Sequence, residues 1–444
     1  MFSPSLRVGN IMHRLPTRRR ILRMGALMPF ATHAVSQAFD TDVAIVGAGA
    51  AGIAAGRELA RLGKTFVILE ARDRVGGRVF TDTSLGERFD AGAIYLHWAE
   101  KNPWRTLAVQ LGVEVFDSDR LPGSFQLFQD GESIQRASRR GYAIVNERFD
   151  PDLAPVPDIA MSARVETDGE DALRAVSNLA RMALGEEPER VSALDYARLW
   201  AGDDYVAPAG FGSLVTRAAD ALPVRLSTRV QAIDWSGQGV TIETDRGTLR
   251  AGAVIVTAPV GVLRAERIRF TPRLPDDTLR GLDGLGMGAL TKIALRFNGE
   301  RFGIAPGTDL WDIAGPRATF DFECWPFDRN LVIAIFGGDH AREIVRMGEA
   351  AAVDLALTRF AHIVGDRARG AFLGGRLAGW SEDPFALGSY SHALPGRADA
   401  RALLAAPVGG RIFFAGEATG GENFGGAMTA GGAYLAGEAA ARAT

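Results

Sequence analysis

Gly47-Ala48-Gly49-Ala50-Ala51-Gly52, with Glu70 eighteen residues further on, has the residue types and the spacing to hold a dinucleotide. Gly47 permits a tight turn, Gly49 lets backbone N–H groups approach a pyrophosphate, and Gly52 lets a helix pack closely on a strand. The phosphates then rest on the helix N-terminus. Glu70 is placed to accept hydrogen bonds from ribose hydroxyls, which an adenine dinucleotide offers and a simple phosphate does not. Just beyond it, Ala71-Arg72-Asp73-Arg74-Val75-Gly76-Gly77-Arg78 brings a second glycine pair and an arginine toward the same pyrophosphate, which suits a flavin dinucleotide better than a nicotinamide one. Far along the chain, Glu417 follows Gly416 at the end of an apolar run, where its carboxylate can accept a ribityl hydroxyl. The glycine-rich loop and helix after it would face the flavin C2 carbonyl and stabilise negative charge there. The remaining candidate is Lys292. Only three lysines, Lys64, Lys101 and Lys292, stand among 47 arginines, so each raises the question of why arginine was not used.

These residues need particular elements to carry them. Asp42 to Val46 is a short β-branched run of the buried parallel type, and it leads straight into the first glycines. Ile53 to Leu62 reads as a helix stopped by Gly63, and Thr65 to Leu69 as the second strand, closed by Glu70. Pro208 to Val215 opens a helix. Arg225 to Ile233, Val240 to Thr244 and Ala253 to Thr257 read as strands punctuated by glycine. Arg411 to Ala415 is a buried strand and Ala430 to Ala441 a helix. Lys292 lies on an alternating strand from Thr291 onward, and Ala172 to Leu184 has helical spacing, with Leu173, Val176, Leu179, Ala180 and Ala183 on one face.

At these residues the chain resembles the flavin amine oxidase family, which includes monoamine and polyamine oxidases, L-amino-acid oxidases and lysine-specific histone demethylases. The resemblance spans nearly all the chain after residue 38. It implies an α/β fold, with an FAD-binding Rossmann-like (doubly wound) domain over 39–95, 206–267 and 407–444. An interleaved α+β substrate-binding domain would occupy 96–205 and 268–406. It implies FAD contacts from Gly47, Gly49, Ala51, Gly52, Glu70, Ala71, Arg72, Gly77, Arg78, Gly92, Ala93, Val230, Gly416, Glu417, Thr429 and Ala430. Phe89-Asp90-Ala91-Gly92-Ala93 resembles the segment beside the isoalloxazine ring, with Ala93 where a second glycine is common. Val230 matches the position whose backbone meets adenine.

The resemblance also assigns the chemistry. Lys292 is similar to the family lysine that holds a water at flavin N5, a task for a compact ammonium where a planar guanidinium would crowd the ring. Trp380 and Tyr390, in Trp380-Ser381-Glu382-Asp383-Pro384-Phe385-Ala386-Leu387-Gly388-Ser389-Tyr390, match aromatics along the amine path, Tyr390 forming one cage wall. The second wall, often Tyr, falls on Thr429. Ser389 stands where mitochondrial-type monoamine oxidases carry a flavin-linked cysteine, which implies non-covalent FAD. The implied activity is hydride transfer from the amine α-carbon to flavin N5. The imine then hydrolyses, and O2 reoxidises the flavin to give H2O2. A carotenoid- or porphyrinogen-type flavin desaturase shares the dinucleotide motifs but has no need of Lys292 with Trp380 and Tyr390. A flavoprotein without amine turnover is the alternative from another class.

Composition narrows the partners. The 444 residues carry a net charge of -3 with no broad basic field, which argues against nucleic acid. Cys324 is the single cysteine and the six histidines lack metal-ligand spacing, so no metal is expected. Residues 1–38 read as a twin-arginine signal: Thr17-Arg18-Arg19-Arg20-Ile21-Leu22-Arg23, a short apolar stretch without acids, then Ser36-Gln37-Ala38. Partners are then an amine, O2 and the twin-arginine export machinery, and the location is periplasmic or secreted. Loss of residues 1–38 removes six arginines and no acid, which shifts the charge to -9 and mildly favours cationic substrates. Beyond the signal no run approaches the ~18 apolar residues of a membrane span. Acids Glu166, Asp168, Glu170 and Asp171 are a further candidate for drawing in polyamines.

Overall fold

In the computed structural model, residues 39–129, 132–134, 139–315, 318–421 and 424–444 are described. The twin-arginine segment 1–38 lies outside them. Two large sheets organise the chain. The first is built around Thr41–Val46, whose alternate residues are buried on both faces because helices cover both sides. It pairs in parallel with Phe66–Leu69 on one side and with Gly247–Val256 on the other. Val224–Arg225 extends the sheet beyond Phe66–Leu69, and Ile412–Phe414 pairs in parallel with Gly247–Val256. An antiparallel extension follows through Val240–Thr244 and Val230–Asp234.

The first helix is Ala50–Arg61, beginning directly after Gly49, three residues earlier than the pattern suggested. It packs against Ala430–Ala443, where glycine and alanine allow the two backbones to approach closely. The single strand expected over Arg225 to Ile233 is two, Val224–Arg225 and Val230–Asp234. Ser227 adopts φ 49°, a left-handed turn that ends the first strand, and its N–H donates to the Arg72 carbonyl. Apolar alternation alone carries no sign of such a break.

The second sheet runs, in spatial order, Phe372–Ala378, Thr291–Phe297, Leu331–Phe336, Ala318–Cys324, Thr308–Gly315, Ser124–Gln129 and Glu132–Ile134. It is mixed, with Thr308–Gly315 parallel to Ser124–Gln129 and its other pairs antiparallel. One face buries Ile293, Leu295, Phe320, Phe322, Ala334 and Phe336 under the helix Glu349–Val364. The opposite face carries Lys292. A third group, centred on the helix Glu170–Leu184, packs Val176 and Ala180 against Val145 and Phe149. That helix also buries Arg181, which the apolar pattern did not mark, in an ion pair of 2.7 Å with Glu187.

Candidate active site

A cavity of about 1680 Å³ lies at the carboxyl ends of the parallel strands, where Val46, Leu69, Thr257 and Gly416 form its wall, and it continues to Lys292 on the second sheet. The carboxyl ends of a doubly wound sheet are where such folds bind ligands, because the strand-to-helix turns there present free backbone N–H groups. Every residue expected to contact the cofactor or to carry the chemistry lines the cavity except Gly52.

The glycines divide by cause. Gly47 has φ +101°, and a Cβ there would stand 2.6 Å from Thr257 Oγ1. A Cβ on Gly52 would be 1.9 Å from the Gly47 carbonyl oxygen, so Gly52 serves the packing of helix on turn and is a correction to its place among direct cofactor contacts. Gly49 and Gly416 differ: a Cβ on either meets no protein atom within 4 Å, and both face the cavity. The protein's own packing does not ask for glycine there, whereas a ligand lying against the backbone does. With the N-terminus of Ala50–Arg61 opening onto the same wall, these residues fit an FAD pyrophosphate and ribityl chain.

Glu70 is buried and already braces the turn, Oε2 accepting from the Ala48 N–H at 2.7 Å and Oε1 from the Arg72 N–H at 2.8 Å. Each oxygen keeps a lone pair for a ribose hydroxyl. Arg78 and Glu417, read separately as partners of the pyrophosphate and of a ribityl hydroxyl, both line the cavity and are joined to each other at 3.0 Å. Arg78 also donates to the Ser389 carbonyl at 2.8 Å, and Glu417 accepts from Ser391 Oγ at 2.7 Å. Together these contacts lock two distant segments across the cavity floor. Arg72 pairs with Asp383 and lies over the rings of Trp380 and Phe385, 5.9 Å and 5.2 Å from their centres. Val230, Ala51, Ala71 and Gly77 form further wall.

At the other end, Lys292 is buried, and its Nζ donates to the carbonyls of Gly92 at 2.6 Å and Asp90 at 3.1 Å. Burial pushes its ammonium below the ordinary lysine range, against the opposing pull of Asp90 and Glu323. An ammonium has three donors, so one N–H remains beyond the two carbonyls. Trp380 donates from its indole to the Ala91 carbonyl at 2.8 Å, and the Tyr390 hydroxyl donates to the Ala183 carbonyl at 2.7 Å. With their polar atoms tied back, both side chains contribute ring surface to the wall. Thr429 caps the C-terminal helix, its Oγ1 accepting from the Gly432 N–H at 3.1 Å, so that helix points its N-terminus at the cavity beside Ala430 and Ala93.

Several wall residues went unrecognised in the sequence. Tyr95, His97, Trp98 and Trp200 form a chain of ring contacts along one side, with centroid separations of 5.5 to 5.9 Å between successive rings. Asp321 is the other omission. Its signal was present: Phe320-Asp321-Phe322-Glu323-Cys324 alternates apolar and acidic residues, the mark of a strand with acids on one face. The acidic stretch at 166–171 does not line the cavity, and Asp168 is paired with Arg148. No group of three or more metal-ligating side chains occurs among the described residues, and no helix among them is long and apolar enough to cross a membrane.

Comparison with known proteins gives the family and the fold. The family described as flavin containing amine oxidoreductase matches residues 50–181 and 163–444. Polyamine oxidase 4 of Oryza sativa subsp. japonica is 29% identical, over 90% of this chain and 88% of its own length. Lysine-specific histone demethylase 2 of Homo sapiens is 27% identical over 89% of this chain, which spans only 52% of that protein. Among solved structures, putrescine oxidase bound to putrescine superimposes with a TM-score of 0.76 at 20% identity, covering 90% of this chain and 98% of that one. Cyclohexylamine oxidase from Brevibacterium oxydans IH-35A gives 0.76 at 22%, covering 91% and 98%. At those identities the structural matches speak for the fold.

Proposed function

We propose, from the premise that this chain belongs to the flavin-containing amine oxidoreductase family, that it oxidises a primary or secondary amine, monoamine or polyamine, outside the cytoplasm. The enzyme is an FAD-dependent amine oxidase. FAD, when bound, supplies the two-electron acceptor for the C–N bond and returns the electrons to O2 as H2O2. The observation that carries the reading is the joining, in one cavity, of the glycine turns with Lys292, Trp380 and Tyr390. A desaturase would need the first group only, and the relatives do not favour it.

The chain's own residues do the rest. Trp380 and Tyr390 present ring surface that attracts a cationic amine and holds it in one orientation as it sheds a proton. Lys292, anchored to two carbonyls, keeps one N–H free to hold the water expected at flavin N5. Anaerobic mixing of the yellow protein with a panel of amines tests the proposal: bleaching by at least one amine is expected, and a flavin that stays oxidised with every amine sinks it.

The cofactor should be held without a covalent bond. Ser389 lines the cavity, and Cys324, the only cysteine, is packed on the far face of the second sheet among Phe322 and Trp325. Acid or heat should therefore release all the FAD into the supernatant; yellow colour retained on the denatured chain would contradict this.

Export by the twin-arginine route rests on Arg18-Arg19 before Ile21-Leu22 and on Ser36-Gln37-Ala38. It suits a flavoprotein, since that route moves folded chains already loaded with cofactor. Replacing Arg18 and Arg19 by Lys keeps the charge and removes the guanidinium pair, so a folded reporter fused to residues 1–38 should remain in the cytoplasm. Undiminished delivery of the reporter to the periplasm would refute the assignment.

A further inference from the structure

Three successive backbone carbonyls carry two of the side chains assigned to the chemistry. Lys292 Nζ donates to the carbonyls of Asp90 and Gly92, and the Trp380 indole donates to the Ala91 carbonyl between them. The segment that offers these carbonyls is fixed in turn. The Ala91 and Ala93 N–H groups donate to the carbonyls of Phe80 and Arg78 at 2.9 and 3.2 Å. The Asp90 side chain makes the remaining ties. It is buried, and Thr81 Oγ1 donates to its Oδ1, while the Phe211 N–H, at the start of the helix Phe211–Ala219, donates to its Oδ2 at 3.3 Å.

Both of those donors are neutral, and a buried carboxylate persists only where a cation compensates it. Lys292 is that cation. It grips the carbonyl of Asp90 and not its carboxylate, so the opposite charge stands close by without occupying an ammonium N–H. A direct ion pair would use the third N–H, which this arrangement leaves for the cavity. The residues directly opposite Lys292 on its neighbouring strands, Ile335 and Ala378, are apolar. The other charges nearby are Glu323 and Asp321 on Ala318–Cys324, Asp309 on Thr308–Gly315 and Arg329 ahead of Leu331–Phe336. Burial lowers the Lys292 ammonium, and Asp90 opposes this more than Glu323 does. Burial likewise raises the Asp90 carboxyl, with Thr81, Lys292, Phe211 and Arg329 pulling it back.

We propose that Asp90 is a positioning residue for Lys292. Its carboxylate supplies the counter-charge that keeps the side chain an ammonium in a buried site, and its carbonyl, held in place by the same residue's side-chain bonds, aims the third N–H into the cavity. The role rests on the amine oxidase reading above, in which that N–H holds the water at flavin N5.

The test uses the FAD-loaded protein and begins without substrate. A change of charge beside N5 alters the visible spectrum of oxidised flavin, so a pH titration should show an inflection that Lys292→Met abolishes. Asp90→Asn keeps the size of the side chain and an acceptor for Thr81 but deletes the charge, and should move that inflection down by about one pH unit or more. Glu323→Gln should move it less. Above the displaced inflection, the half-reaction that Lys292→Met slows should slow in Asp90→Asn by at least about 3-fold, while Asp90→Asn should add less than about 2-fold to Lys292→Met. A residue that merely braced the fold would slow both backgrounds alike and leave the inflection in place. An inflection that survives Lys292→Met, that stays put in Asp90→Asn or that moves further in Glu323→Gln overturns the inference and leaves amine oxidation standing. No flavin reduction by any amine sinks the reading beneath it, whatever the titration shows. If Asp90→Asn does not fold or loads no flavin, NMR of lysine isotope-labelled at Cε decides in the wild type. With only three lysines in the chain, the Lys292 signal is identified by its loss in Lys292→Met. That signal should carry a second, smaller step as Asp90 titrates in the acid range, and the step should persist in Glu323→Gln; its absence rejects the role.

Discussion

Lys292→Met should slow amine-driven flavin reduction, or reoxidation by O2, by at least ~10-fold, a loss of about 1.4 kcal/mol in transition-state stabilisation. Met keeps an unbranched chain of similar length, so fold and FAD content should survive. The ammonium goes, and with it the donors to the carbonyls of Asp90 and Gly92 and the third N–H that remains for the cavity. The pH profile supplies a second signature. Burial lowers the Lys292 pKa, so as pH rises through that lowered value the group changes from three donors to two donors and a lone pair, while below it the ammonium is complete. Wild-type rates should therefore show an inflection below the ordinary lysine range, and Lys292→Met should lack it. Stopped-flow traces of both half-reactions measure this; matching rates would reduce Lys292 to an ordinary strand lysine.

Arg401→Leu should lower stability by about 3–5 kcal/mol, the loss that follows when one partner of a buried ion pair is removed. Arg401 is fully buried and grips Asp195 with two bonds of 2.7 and 2.8 Å. It also donates to Ser391 Oγ at 2.9 Å and to the Ala418 carbonyl at 3.1 Å. Ser391 in turn donates to Glu417, which holds Arg78, so a single polar chain runs from Asp195 to the cavity floor. Flavin retention should fall together with stability. The sign of the pH effect follows from Asp195. Burial alone would raise its pKa, but Arg401 outweighs burial and holds it below the usual carboxylate range. In the wild type this contribution is complete above the ordinary carboxylate pKa and is lost as pH falls through the lowered one. Without Arg401 the carboxylate is buried unpaired and its pKa rises, so acidification relieves the variant. The gap between urea midpoints of variant and wild type should narrow from neutral pH toward pH 5; a constant gap would mean that lost packing, not the orphaned charge, sets the cost.

Much of this protein follows from local rules in its sequence. A β-branched run, two close glycines, a helix and an acid specify a dinucleotide turn, because the requirements of each step are met within about thirty residues. The same holds for Gly416-Glu417 before a small-residue helix and for the scarcity of lysine that singles out Lys292. What depends on distant partners was not legible. Arg78 and Glu417, 339 positions apart, are paired with each other on the cavity wall, a contact that neither local motif announces. Nothing local singles out Asp321, and the register Lys292, Ile335, Asp321 is what brings it to the wall of the site. Local spacing fixes how a residue leaves its own backbone; which residues from other strands meet it is decided by sheet order and register, and those are set by the packing of the whole chain.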